Sequence, residues 1–257
     1  MAALLSAAVL LPPYGRVGQA RELALRMRLT AWSRTARHSA VLRATRGLRD
    51  DALSVYLILR SEALRVTGSL DEAAAVAAIA RERAAKEEHE VRLAHAAFQE
   101  GLALLWAGRL DEVRTCLDRY LLDYARLAGN RWTAWANFVE AGWEVHSGHG
   151  PEALAKYDEA ELRFGAEGLL DGVVSVKTAR LAACRLAGTA EYTKALAEVT
   201  AGSRGGAGRA AYYTQGNDFT AESILNDQAE FTRCSLHDLD AAQAKYERTA
   251  ASRFPLQ

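Results

Sequence analysis

The sequence predicts an all-α protein made of antiparallel helix pairs stacked along one axis. Two observations carry this reading. Gly68, Gly108, Gly148 and Gly188 fall 40 residues apart, each interrupting an otherwise helix-forming stretch. A fixed period of this size marks one helix–turn–helix unit repeated in a stack. The turns also share their chemistry. Each glycine is suited to the left-handed conformation that ends the first helix of a pair. Asp71, Glu72, Asp111, Glu112 and Glu152 then fall in the first turn of the second helix, where its dipole favours negative charge. Pro151 takes a similarly early position, where a missing N–H is harmless.

Aligned on these turns, the units read in order. Gly15-Arg-Val-Gly-Gln-Ala20 is the first turn, so the preceding helix starts at Met1, and apolar Met1–Leu11 becomes the first helix of the first pair, stopped by Pro12-Pro13. That segment lacks the basic start of a signal peptide and is too short to span a bilayer. The chain is thus expected to begin at a unit boundary. The interval from Gly15 to Gly68 is longer than the period, which places an extra helical stretch within 36–52. Gly68-Ser-Leu-Asp-Glu-Ala73, Gly108-Arg-Leu-Asp-Glu-Val113, Gly148-His-Gly-Pro-Glu-Ala153 and Gly188-Thr-Ala-Glu-Tyr-Thr193 then follow on the beat. The last turn, His237-Asp-Leu-Asp-Ala-Ala242, comes late because a Gly-rich connection at 201–217 precedes it. About six pairs therefore form a single domain over 1–257.

This pattern resembles the tetratricopeptide repeat, in which a short Gly-Asp-Tyr-x-x-Ala turn joins helices A and B. The match is closest at Phe98–Tyr120, where Gly101 takes the family's small position in helix A. Units of about 40 residues resemble the extended variant found in sensor regions of large bacterial regulators. The resemblance implies a right-handed superhelix with helix A lining the concave face. Carrying the family's groove positions over by the turn alignment selects Glu62 and Arg65 from the second pair. It selects His95, Phe98 and Trp106 from the third pair and Trp135, Phe138 and His146 from the fourth. Thr178 and Arg185 come from the fifth and Asp227 from the sixth. Aromatics and histidines gather in the middle pairs with Arg65 and Arg185 on either side, a typical pocket composition of apolar floor and polar edge. Trp132 and Trp143 fall outside the groove positions and are expected to pack between helices.

Composition limits the functions open to the chain. Lys and Arg total 32 and Asp and Glu total 32, so there is no basic excess of the kind nucleic-acid binders carry. Three scattered cysteines show no metal spacing and, being odd in number, no disulfide framework, which is the usage of a reducing cytoplasm. His146-Ser-Gly-His149 lacks a third ligand, and Gly202–Gly208 lacks the Lys-Ser/Thr ending of a phosphate loop. No cofactor, metal or membrane contact is expected. The reading is a binding module whose groove holds a peptide, a partner-protein segment or a small regulatory ligand. The alternative is an enzyme using Glu62, His95, His146 or Asp227 as acid or base on an anionic substrate. A third reading pairs exposed end helices such as Met1–Leu11 into a homodimer.

Overall fold

The computed structural model describes residues 16–34, 37–48 and 52–204, and among these every regular element is a helix. α1 (Arg16–Arg34) and the short α2 (His38–Thr45) precede the regular stack, α2 being the extra stretch expected within 36–52. The A-type helices are α3 (Ser54–Val66), α5 (Glu90–Trp106), α8 (Asn130–His146) and α10 (Leu170–Ala187). Their B-type partners are α4 (Leu70–Lys86), a rod of α6 (Leu110–Cys116), a π turn (Leu117–Leu121) and α7 (Leu122–Ala128), then α9 (Gly150–Ala166) and α11 (Thr189–Arg204). Each helix packs on its neighbours in sequence, and each A-type helix also packs on the next A-type helix. Successive B-type helices approach one another much less. Met1–Leu11, the residues beyond Arg204 and the whole sixth pair, Asp227 included, lie outside the described residues. α11 runs through Arg204, so the first four residues of the expected Gly-rich connection are helical.

Three of the four turn glycines take the left-handed conformation expected of them, and Gly188, with φ 140° and ψ 169°, does not. Gly68, Gly108 and Gly148 have φ of 89°, 72° and 85°. At the first, Gly68 N–H donates to Arg65 O at 3.1 Å and Ser69 N–H to Leu64 O at 2.9 Å, the paired bonds of a Schellman motif that satisfy the last carbonyls of α3. The connection from one pair to the next uses the same device. Gly168 (φ 66°) and Glu88 (φ 53°) are left-handed too, with His89 N–H reaching Ala84 O at 3.1 Å. Positive-φ residues therefore recur roughly every 20 residues, at 68, 88, 108, 129, 148, 168 and 188, although Gly129 and Gly188 have ψ of −178° and 169° and so are extended there, not left-handed helical.

Among the described residues the core runs along the stack as four clusters of buried side chains, and small residues sit where helices cross. Ser61, Gly101 and Ala141 occupy one register position, all buried, and Ser61 Oγ donates to Ala73 O at 2.8 Å across the α3–α4 crossing. A Cβ on Gly101 would stand 3.2 Å from Val139 Cγ1 and 3.6 Å from Leu121 Cδ2. Charge pairs repeat as regularly. Arg60, Glu100, Glu140 and Arg180 share the next register position and bind Glu72, Arg81, Lys156 and Asp158 of flanking B-type helices, at 2.9, 2.8, 2.7 and 2.8 Å. One further contact joins the end of a B-type helix to the start of its A-type partner. Glu87 accepts from Ser54 N–H at 2.9 Å, Ser54 Oγ at 2.6 Å and Arg92 Nη1 at 2.6 Å, so it caps α3. The other residues of 85–90 are exposed, and Glu87 alone is half-buried.

Candidate functional site

α3 and α5 face each other across a stripe of polar side chains. His95, Gln99 and Trp106 are spaced to lie on one side of α5, opposite Glu62 and Arg65 on α3. The Arg65 guanidinium lies 4.4 Å from the Trp106 ring centroid, and its Nε donates to Gln99 Oε1 at 3.2 Å. Gln99 Nε2 is 3.5 Å from His95 Nε2. The His95 ring rests against Trp132 of α8 with centroids 4.9 Å apart. Among the described residues no carboxylate comes within ion-pair distance of Arg65.

The electrostatics follow from enclosure. Arg65 and His95 each keep some surface, yet both are hemmed in so closely that burial is the largest influence on them. Burial pulls Arg65 down to about 10, partly opposed by the Glu62 charge. His95 falls to about 4, again by burial first; Glu62 opposes this while Arg131 and Arg65 reinforce it. His38 of α2 is shifted the same way by burial, with Glu62 and Arg65 acting on it from α3. The recess thus combines a neutral imidazole, a desolvated guanidinium and one nearby carboxylate.

The remaining expected residues divide by place. Phe98 is 7% exposed and lies in the core, its ring 4.9 Å from Trp135. Trp135 continues to Phe164 at 4.7 Å and Phe138 to Tyr157 at 5.9 Å, so this aromatic chain knits α5 and α8 to α9. Thr178 is buried and returns its hydroxyl to Val174 O at 2.9 Å within its own helix. His146 is exposed at the end of α8. Arg185 stands on α10, three A-type helices along from Arg65. Trp143 packs as expected, its Nε1 donating to Leu110 O at 3.1 Å. Trp132 is buried among core side chains and also supplies the face on which His95 rests.

Two members of the recess escaped the turn alignment, His38 and Gln99. Gln99 had a signal. Its register position is held by Leu59 and Val139 in the adjacent units, both buried, so an amide that is only 3% exposed there is a departure from packing. No known protein family, curated protein or solved structure matches this chain.

Proposed function

We propose that the chain is a binding module of tetratricopeptide-like, superhelical architecture, and that the face formed by its A-type helices is the ligand groove. The closer approach of A-type than of B-type helices supports a stack curved toward the A side. The ligand is a peptide, partner segment or small molecule carrying an anionic group beside an apolar one. One observation carries this reading: Arg65 is desolvated against Trp106 with a neutral amide as its hydrogen-bond acceptor. A desolvated cation whose nearest carboxylate, Glu62, stands beyond ion-pair contact is costly. A ligand carboxylate would complete it, and the Trp106 ring would take the adjoining apolar group.

The test is a peptide array screened with wild type and Arg65→Gln, with each hit measured by titration. Carboxylate-bearing hits should weaken about tenfold or more in Arg65→Gln while the helical circular dichroism is unchanged. Hits that bind both proteins equally would sink the groove reading. The acid–base alternative draws on the same recess, because His95 is held neutral close to Glu62. It requires a small-molecule turnover that Glu62→Gln and His95→Gln abolish while binding persists.

A further inference from the structure

A second concavity lies between α7, α8 and α9, away from the Arg65 recess. It is a cleft of about 550 Å³, within the usual size of small-ligand sites. α8 contributes its N-terminal end at Gly129 and Asn130 and then, one turn after another, Thr133, Asn137 and Glu140. Arg126 of α7 and Lys156, Glu159 and Arg163 of α9 complete the walls.

Most of these polar groups are already matched. Lys156 Nζ meets Glu140 at 2.7 Å, Arg163 Nη2 meets Glu159 at 2.7 Å, and Arg163 Nη1 donates to Asn130 Oδ1 at 3.0 Å. Hydrogen bonding from Arg163 is the first cause that holds the Glu159 carboxyl below its ordinary range, with Asn137 and Lys156 adding smaller shares. Asn137 is the exception. Its side chain is 5% exposed, lines the cleft, and its Nδ2 closes no hydrogen bond of ordinary geometry. A buried amide donor that reaches toward Glu159 without a well-formed hydrogen bond is unfavourable, and it is open to a better acceptor. Packing does not demand an amide there, since Leu57 and Ala97 fill the same register position in the two preceding units, both buried. At the head of the cleft no side chain caps α8, a helix of 17 residues. The equivalent end of α3 shows what such a terminus takes, namely the Glu87 carboxylate on Ser54 N–H.

We propose that this cleft is a separate binding site for an elongated organic carboxylate: the carboxylate sits on the first turn of α8 between Arg126 and Arg163, and a carbonyl oxygen farther along accepts from Asn137 Nδ2. Asn130 and Asn137 are seven positions apart on α8, so the two groups of the ligand stand about 10 Å apart. An acylated short peptide acid has this length and offers a carbonyl at each residue. The site is independent of the Arg65 groove.

The probe is N-acetyl-triglycine, followed by nitrogen-15 NMR of the intact chain. Saturable shifts are expected at the backbone amides of Asn130 and Arg131 and at the Asn137 side-chain NH2. N-acetyl-triglycinamide, which lacks the carboxylate, and octanoate, which lacks the distal carbonyl, should each bind several-fold more weakly. Asn137→Leu should weaken the acid probe roughly fivefold. Arg126→Met, at a side chain 71% exposed and therefore harmless to folding, should weaken it about threefold. Arg65→Gln should leave it unchanged, so failure of the groove reading and failure of this one are separable. Absence of saturation at millimolar probe, or equal binding by Asn137→Leu and Arg126→Met, overturns the proposal.

Discussion

Replacing Glu87 by Gln isolates a carboxylate that ties the end of a B-type helix to the start of an A-type helix. Glu87 accepts three hydrogen bonds, from Ser54 N–H, Ser54 Oγ and Arg92, at 2.9, 2.6 and 2.6 Å, and its side chain is 15% exposed. Burial alone would raise its carboxyl; the Ser54 and Arg92 hydrogen bonds outweigh burial and hold it below the ordinary value of 4.5. A glutamine keeps the shape and can still accept from Ser54 N–H, but turns an NH2 toward Arg92. The loss is the charge-assisted part of the network and the favourable charge at the start of α3, together about 1.5 kcal/mol. For a chain of this size that lowers the midpoint of thermal unfolding by roughly 3–6 °C. The sign with pH follows from the depressed pKa. The stabilisation is fully present above the unfolded-state value and is lost as pH falls through the lower folded-state value. Circular dichroism melts of wild type and Glu87→Gln should therefore differ at pH 7 and converge in acid. Equal midpoints at pH 7, or a gap that acid does not close, would refute the capping argument.

Two glycines of similar helical setting should respond oppositely to alanine. At Gly172 a Cβ would lie 2.5 Å from Phe164 Cδ1 and Cγ, so overpacking against a fully buried ring outweighs the gain in helix propensity, and urea unfolding should show a net loss of about 1–2 kcal/mol. At exposed Gly165 nothing lies within 4 Å, and the same change should stabilise by about 0.5–1 kcal/mol. Glu88→Gly relieves a left-handed non-glycine residue and should stabilise by about 1 kcal/mol in the same assay. His95, held down to about 4, binds its proton more readily in the unfolded chain. Wild type should therefore lose stability between pH 6.5 and pH 4, and His95→Gln should lose on the order of 1–3 kcal/mol less over that window.

Much of the stack was written in the glycine spacing, because a left-handed helix end strongly favours glycine and four of them keep step. The connections between pairs were hidden for the same reason in reverse. Glu88 takes the conformation without being glycine, and Gly129 falls one residue off the beat, so of the connections between pairs only Gly168 carries the glycine in step. In the site, Glu62, Arg65, His95 and Trp106 came from the groove register that the resemblance implies; Arg65 lies against Trp106, and the Glu62 charge acts on both Arg65 and His95. Phe98, Trp135 and Phe138 obeyed the same register but joined a packing chain, since a ring one helix away was close enough to cover them. Gln99 and Asn137 were readable only by comparing units column by column. Each is an amide where neighbouring units bury a hydrocarbon, and a search keyed to charged and aromatic residues passes over them.

The π turn at Leu117–Leu121 gives its rod two more residues than α4 or α9 without putting the units that follow out of phase. The connection after it shrinks to Gly129 alone, where the others use Glu87–His89 and Glu167–Leu169, and Gly148 arrives on time. Length is thus conserved over helix plus linker rather than over either part. The two added helical residues are taken out of the linker before the next helix begins, so the downstream contacts stay in frame. Such compensation lets individual units diverge in surface and in binding residues while the stack as a whole keeps its geometry.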